Sequence, residues 1–409
     1  HDLWRKEWAD SRRTLGRLRG TRRTQLYAVR ANVAALAKGR LLNAARAPLA
    51  FLTLERNRAW WAAGPLLPAG RRVEFPGSEL VWQMYPGQGL QVQWLGTFGK
   101  ANGLYGAGSY DRLRALLDEA LALAAPRAGG IAFEYQFRFG GGLPPWASGM
   151  AQATAVQALS RAASRLKAPA YFDAARAALG IFRADPPDGV RIPTAAGAHY
   201  LIYSFAPGLR VLNAVTQTLN GLHDFAVLSG DPEGRALFDA GDAELRATLA
   251  GWDTGAWSLY SLGGRESDLG YHRLARDFLD GLCDRLEQDG ARGRSYPDPG
   301  PYCAAAGRFT DYLVEPPALR VPDARPRTGR RTRVRFSVSK ISTVTVTMRR
   351  RGRVAFSTTL RVGRGSHYVT IVPQKRGPLE VDVRAVDLAG NAASADGTLR
   401  VRPAPKRRG

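Results

Sequence analysis

The residues best suited to chemistry in this chain of 409 residues are groups that move protons rather than ligands for a metal. Tyrosine acts as an acid or a base when neighbouring positive charge or hydrogen bonds lower its pKa from about 10. The chain has 14 tyrosines but only 5 histidines. It contains no Cys-x-x-Cys, His-x-x-x-His or acidic calcium-loop pattern. We therefore expect chemistry that needs neither a metal nor another cofactor.

Three stretches in the middle of the chain resemble one known family. They are PPWASGMAQATAVQALSRA at 144–162, YSFAPGLRVLNAVTQTLNGLHDF at 203–225, and DTGAWSLYSLGG followed by YHRL between 253 and 274. In order and spacing they resemble the C-terminal domain of D-glucuronyl C5-epimerases. Members of that family remove the hydrogen at C5 of glucuronate and return one from the opposite face. The resemblance implies an isomerase that acts on uronic acid residues of a glycosaminoglycan-like polysaccharide.

The same resemblance implies the site residues. Tyr203, Tyr260 and Tyr271 fall on tyrosines of the family's active site, and Glu134 is similar to an acidic residue that the family places near the sugar. We predict that these four are catalytic, because a weak carbon acid needs a base, an acid across the ring, and donors for the developing charge. The residues predicted to bind the substrate or support the cleft are Trp146, Gln152, Arg210, Asn213, His272 and Arg265.

Two positions depart from the family pattern. Ile202 stands where the family carries a glutamate, and Gly263 stands where it carries an arginine, although Arg265 or Arg210 could replace that charge. Three interpretations follow: an epimerase with a rearranged site, a protein that binds uronic acid polysaccharides without turnover, and a polysaccharide hydrolase or lyase. A hydrolase would need two carboxyl groups roughly 5 to 10 Å apart.

The elements that must position these residues are mainly helical. Hydrophobic periodicity and Gly/Pro/Asp punctuation predict helices near 110–125, 147–166, 169–183, 208–229, 233–250 and 271–289. Strict alternation in IAFEYQFRF predicts a strand over 131–139, with Glu134 on the polar face. Helix hairpins in succession fit a bundle or an α/α toroid, and the resemblance to epimerases implies the toroid.

We predict a multidomain chain of the α plus β class. An α/α toroid-type helical domain follows a short β region and precedes a small antiparallel β-sandwich, which resembles bacterial immunoglobulin-like or fibronectin-III-like modules. The predicted parts are a basic helical arm (1–70), an epimerase-like domain (71–315, with its β region at about 71–140 and its helical region at about 141–315), a Pro/Arg linker (316–329), the sandwich (330–402) and a basic tail (403–409).

Charge is polarised along the chain. The formal net charge of +24 divides into +11 for residues 1–75, −4 for 76–324 and +17 for 325–409. The basic ends fit solvated faces or contacts with an anionic polysaccharide, and the arm also fits a membrane-surface role. Nucleic acid is not expected as a partner, because no recognition motif accompanies the charge.

The cysteines bear on the compartment. Cys283 and Cys303 are the only two, and they fit either one disulfide of an exported protein or two buried thiols. Sandwich modules of this kind are common in exported proteins, so we expect a secreted or envelope-associated protein. No run reaches the ~18 apolar residues of a membrane span, and the sequence carries no signal for an oligomeric state.

Overall fold

The computed structural model describes residues 2–404 and divides the chain into two compact units, residues 1–248 (unit 1) and 249–409 (unit 2). Of the predicted basic tail, all but Pro403 and Ala404 lies outside the described residues. No helix within residues 2–404 has the length and apolarity needed to cross a membrane.

Unit 1 consists mainly of helices joined by short antiparallel strands. Its helices are α1 (Asp2–Arg17), α2 (Gly20–Lys38), α3 (Ala47–Ala63), α4 (Trp94–Gly106), α5 (Tyr110–Leu121), α6 (Gly149–Leu166), α7 (Ala170–Ala177), α8 (Gly180–Arg183), α9 (Leu212–Ser229) and α10 (Pro232–Thr248). Its strands are β1 (Arg72–Val73), β2 (Trp82–Tyr85), β3 (Gly89–Val92), β4 (Ala125–Arg127), β5 (Gly130–Ala132), β6 (Arg191–Pro193) and β7 (Ala198–Tyr200). The first three form one sheet, and the others form two hairpins.

Helices α6 and α9 form the centre of unit 1. Nearly every residue of both helices is buried, which is typical of helices packed on all sides. Their contact depends on Gly221, because a Cβ at this position would lie 2.3 Å from the carbonyl oxygen of Ala153. The helices predicted near 147–166 and 208–229 are confirmed, although the second begins at Leu212.

The arm predicted as helical over 1–70 contains three helices, since the chain breaks near Arg19 and again after Lys38, where Arg40 has a φ of 56°. Two local predictions for unit 1 were wrong. Helix α4 lies in a region predicted as strands and turns. The strand predicted over 131–139 ends at Ala132, with isolated bridges at Tyr135 and Phe139 beyond it.

Unit 2 begins with a 3₁₀ turn (Leu249–Trp252) and contains α11 (Leu269–Ala291) and α12 (Gly300–Asp311). A disulfide between Cys283 and Cys303 joins these two helices, so the bridged alternative holds. The strands that follow are β8 (Leu319–Arg320), β9 (Thr332–Val338), β10 (Ser342–Arg350), β11 (Arg353–Val362), β12 (Gly365–Ile371), β13 (Gly377–Asp387) and β14 (Ala392–Val401).

These strands form two antiparallel sheets with one shared core. The strand order is β11-β10-β13-β14 in the larger sheet and β12-β9-β8 in the smaller. Alternate residues of both sheets point inward, for example Val334 and Phe336 from β9 and Val344 and Val346 from β10. The change to a period of two after the Pro/Arg segment therefore predicted the β-structure correctly.

Candidate functional site

In unit 1, Trp146 and Tyr203 belong to one aromatic cluster. The Trp146 ring stacks on Tyr135 with centroids 4.2 Å apart, and its Nε1 donates to the Phe137 carbonyl at 2.7 Å. The Tyr203 ring meets Trp146 edge-on at 5.4 Å and stacks on Phe205 at 5.2 Å. Trp146 is buried and Tyr203 is half-buried, so packing fixes the orientation of both rings.

Glu134 is the centre of a buried ion cluster. Arg46 donates to its carboxylate from Nε at 2.6 Å and from Nη2 at 3.0 Å, and Arg127 Nη1 donates at 2.8 Å. This hydrogen bond to Glu134 raises the pKa of Arg46. Arg127 also reaches Ser204 Oγ, at 3.5 Å, directly after Tyr203. Two guanidinium groups bind the carboxylate of Glu134, and the residue is only 1% exposed. This geometry favours a positioning role for Glu134.

The other predicted binding residues of unit 1 make local contacts. Gln152 is buried, and its amide group forms hydrogen bonds with the backbone of Ile131, Phe133 and Ala178. Asn213 is buried at the start of α9. Arg210 forms an ion pair with Glu244 at 3.4 Å. Gln152 thus supports the backbone beside α6 rather than facing open solvent.

In unit 2, Tyr260 and Tyr271 lie side by side in a cleft of ≈ 430 Å³. Their ring centroids are 4.8 Å apart. Tyr260 is the first residue of a hairpin turn, and its backbone N–H donates to the Arg265 carbonyl at 2.9 Å. The Arg265 guanidinium lies 4.9 Å from the centre of the Tyr260 ring. Tyr271 lies in the first turn of α11, where its N–H donates to the Asp268 carboxylate at 2.9 Å. Three predicted residues therefore share one site.

Tyr260 has a perturbed acidity. Burial, followed by the neighbouring Tyr271 hydroxyl, raises the pKa of Tyr260 above 10, and the positive charge of Arg265 opposes this shift. Near neutral pH the phenol is consequently protonated. Such a group can donate a proton but is a poor base, which distinguishes two roles that the sequence left open.

His272 is a buried residue that links the elements beside the cleft. The ring is fully buried and stacks on Trp257 at 3.7 Å. Ser258 donates to Nδ1 from its backbone N–H at 3.2 Å, and Nε2 donates to the Phe309 carbonyl at 2.9 Å. Burial lowers the pKa of His272 to about 4, so the ring is neutral at physiological pH. The side chain ties the Tyr260 hairpin to α11 and α12.

The two departures from the family pattern have local explanations. Ile202 is buried with 9% exposure, as an apolar side chain should be. Gly263 has a φ of 67°, a conformation that an arginine rarely adopts. The turn itself therefore disfavours the family's arginine at this position.

Several residues near these groups were not predicted. Arg46 and Arg127 hold Glu134, while Glu266, Arg361 and Arg364 line the cleft beside the tyrosines. Of these five residues, only Glu266 could have been suspected from the sequence, because it lies six positions after Tyr260. Among residues 2–404, the one group with metal-ligand spacing is Cys283, Glu287 and Cys303, and its two cysteines are consumed by the disulfide.

Comparison with known proteins places most of these residues in one family region. Residues 128–289 match the family described as D-glucuronyl C5-epimerase C-terminus. A D-glucuronyl C5-epimerase from Caenorhabditis elegans is 32% identical over 134 residues, and this match covers 29% of the chain and 22% of that protein. The chain thus spans less than a quarter of the relative it matches.

Two solved structures align more broadly. A sugar epimerase from a ruminal bacterium has a TM-score of 0.39 and 12% identity, covering 53% of this chain and 58% of the other. An unsaturated glucuronyl hydrolase specific for heparin has a TM-score of 0.35 and 10% identity, covering 59% and 79%. The family match contains all four residues predicted to be catalytic. Over residues 128–289 this chain is thus similar to the D-glucuronyl C5-epimerase C-terminus family.

Proposed function

We propose that the protein is a C5-epimerase of glucuronate residues within a polysaccharide. The observation that carries the proposal is the pairing of Tyr260 and Tyr271 in one cleft beside Arg265, within the region that matches the family. A phenol pair next to a guanidinium suits a substrate that carries both an acidic C–H group and a carboxylate.

The proposed reaction has two proton transfers. A base takes the hydrogen at C5 as a proton, and the electron pair of the C–H bond moves into the adjacent carboxylate as an enolate-like anion, which positive charge stabilises. A proton then returns to C5 from the opposite face. Tyr260 is the proposed donor because its raised pKa keeps it protonated. Tyr271 is the proposed acceptor in its phenolate form, after its phenolic proton has passed to solvent. After turnover, solvent removes the proton from Tyr271 and returns one to Tyr260.

Tyr203 and Glu134 remain part of the proposal with separate tests. Tyr203 stands in the family motif and packs edge-on against the buried Trp146, which fixes the orientation of its ring. Glu134 is proposed to act through Arg127, which it holds beside the Tyr203 segment. Tyr203→Phe should lower turnover, whereas Glu134→Gln should lower both turnover and stability.

We extend the proposal to the folds of the helical region and of the β-sheets. The helices of the family region are proposed to form an α/α toroid. The three-stranded and four-stranded sheets of unit 2 are proposed to be an immunoglobulin-like or fibronectin-III-like module, which their shared core supports. The disulfide between Cys283 and Cys303 supports a secreted or envelope-associated protein, since such bonds persist in oxidising compartments.

The test is incubation of the full chain with glucuronate-containing polysaccharides in deuterated water. Deuterium at C5 of recovered sugar residues, with a new C5 epimer, is the expected result. New reducing ends or unsaturated uronate would instead indicate a hydrolase or a lyase and would overturn the proposal.

A second candidate is binding of uronic acid polymers without turnover. It is favoured by Ile202, whose apolar side chain stands where the family carries a glutamate. Measurable binding of the polysaccharide with no deuterium uptake would establish this alternative.

A further inference from the structure

The tyrosine cleft of unit 2 has a second wall that lies outside the family region. One wall is formed by the Tyr260 hairpin and the start of α11. The other includes Arg361 at the end of β11 and Arg364 in the turn before β12. The β-sheet part of unit 2 therefore contributes directly to the cleft that contains the proposed proton-transfer pair.

Buried polar contacts fix this second wall in place. Lys340, only 2% exposed, donates from Nζ to the Tyr312 carbonyl after α12 at 2.7 Å and contacts Asp387 at 3.3 Å. Asn391 Nδ2 donates to the Leu313 carbonyl at 2.9 Å. Because a buried ammonium group is costly to leave unpaired, these contacts strongly resist displacement of the sheets from the helices.

A contact at the cleft itself positions the β11–β12 turn. The backbone N–H of Arg364 donates to Glu266 Oε2 at 3.3 Å, which places the turn next to the Tyr260 hairpin. Glu266 Oε1 is buried and has no hydrogen-bond partner among the described residues. Burial raises the pKa of Glu266, and the nearby Arg364 charge opposes the shift.

The charged groups around the cleft are three guanidiniums and two carboxyls. Both carboxyls are used locally: Glu266 accepts from Arg364 N–H, and Asp268 caps α11 by accepting from Tyr271 N–H. Arg361 and Arg364 are exposed, and neither forms a salt bridge with another residue within 2–404. Two guanidiniums thus remain available to an anionic ligand in the cleft.

We propose that Arg361 and Arg364 bind the carboxylate of a uronic acid residue beside Tyr260 and Tyr271. They supply the positive charge that Gly263 cannot, because its left-handed backbone disfavours the family's arginine. Guanidiniums suit this task, since each can bond a carboxylate through two N–H groups. The inference rests on the proposed function for its choice of ligand, and it makes the β-sheet module part of the substrate site.

The experiment compares two double variants of the full chain. Arg361→Gln/Arg364→Gln removes two of the three guanidiniums of the cleft. Arg351→Gln/Arg353→Gln removes two exposed arginines at the β10–β11 turn, which do not line the cleft. The probes are a glucuronate-containing oligosaccharide and the same oligosaccharide with its carboxyl groups reduced to alcohols. Binding is measured by calorimetry, and deuterium exchange at C5 is measured in parallel.

The cleft variant should weaken binding of the glucuronate probe by about tenfold or more, as expected for the loss of charge-assisted hydrogen bonds. It should leave the weak binding of the reduced probe unchanged, and the sheet control should behave as the wild type. Arg361→Lys/Arg364→Lys should recover part of the affinity, which confirms that charge matters and that the fold is intact.

Three outcomes would overturn the inference: unchanged affinity in the cleft variant, an equal loss in the sheet control, or no preference of the wild type for the carboxylated probe. Failure of the proposed function looks different. A wild type that binds through the two arginines without C5 exchange refutes the epimerase and leaves the inference standing. C5 exchange with an unaltered KM in the cleft variant refutes the inference alone.

Discussion

Tyr260 and Tyr271 share a cleft but differ in accessibility. Tyr271 is 39% exposed, whereas Tyr260 is half-buried and has a raised pKa. Of the two side chains, Tyr271 is therefore the more open to a substrate that enters from solvent. This difference is the reason for assigning acceptor and donor roles to the two phenols.

Replacing Tyr271 by phenylalanine should lower C5 deuterium exchange by roughly 10²-fold or more, because general acid–base groups contribute about that much. The unfolding free energy should change by less than about 1.5 kcal/mol, since the ring is kept and only the hydroxyl with its hydrogen bond to Tyr260 is lost. Tyr27→Phe, at a more exposed tyrosine of α2, is the matched control and should keep full exchange. Wild-type activity in Tyr271→Phe would exclude this hydroxyl from the mechanism.

His272 should make unit 2 less stable in acid. Its folded pKa of about 4 lies below the ordinary value of 6.5, so between these values the unfolded chain binds a proton that the folded chain does not. Stability should therefore fall as the pH drops from about 6.5 to about 4, by up to roughly 3 kcal/mol for this fully buried ring.

The measurement is the unfolding free energy of the wild type and of His272→Gln as a function of pH. The variant should be less stable at neutral pH and should show a flatter dependence between pH 6.5 and 4. An identical slope in both proteins would assign the acid sensitivity to other groups, among them the buried His199 of unit 1, whose pKa burial lowers to about 3.

For single residues, the sequence indicated candidates for the site better than it indicated the contacts that surround them. The family motifs indicated Tyr260 and Tyr271, and Arg265 was named as a replacement for the family's arginine; all three line one cleft. The environment of Glu134 could not be read from alternation, because its partner Arg46 lies 88 positions away in the chain. A strand pattern assigns a carboxylate to the solvent side by default, and only tertiary contacts can reverse that assignment.

Among the elements, the close pair of α6 and α9 makes a sharp prediction. Gly221→Ala should destabilise unit 1 by about 1 to 3 kcal/mol, because the added methyl group would overlap the Ala153 carbonyl. Gly99→Ala in α4 is the control, since a Cβ there meets nothing within 4 Å, and it should stabilise by about 0.5 to 1 kcal/mol. Denaturant unfolding measures both changes, and a neutral Gly221→Ala would contradict the packing described.

The long helices of the family region and the strands after residue 330 were predictable, but the glycine-rich helix α4 was not. Helix α4 contains four glycines, which lower helix propensity. Its buried residues Trp94, Phe98 and Ala101 nevertheless keep helical spacing, so tertiary packing overrides the weak local preference. Helix α12 was also missed; its sequence begins with Gly300 and Pro301 and resembles a loop.

For the whole molecule, the polarised charge predicts a salt-dependent interaction with anionic polymers. The +17 of residues 325–409 is carried partly by exposed arginines such as Arg333 and Arg335 on the outer face of β9. Affinity for a long glucuronate polymer should fall at least tenfold between about 0.05 M and about 0.5 M NaCl, as screening shortens the reach of these charges.

A glucuronate oligosaccharide just long enough for the cleft should lose less affinity over the same range of salt, because it engages fewer cations. Arg333→Gln/Arg335→Gln should reduce the salt dependence of the polymer and leave that of the oligosaccharide unchanged. Binding of the polymer that is independent of salt would argue that the basic faces are only solvated surface.

The buried lysine at position 340 has a practical consequence for anyone shortening or recombining this protein. A graft of a foreign sandwich would fit only if it brought an equivalent ammonium group for the carbonyl that follows α12. A chain cut before Leu319 should also lose one side of the groove that holds Tyr260. The helices and sheets of unit 2 should therefore be kept together when the protein is engineered or expressed.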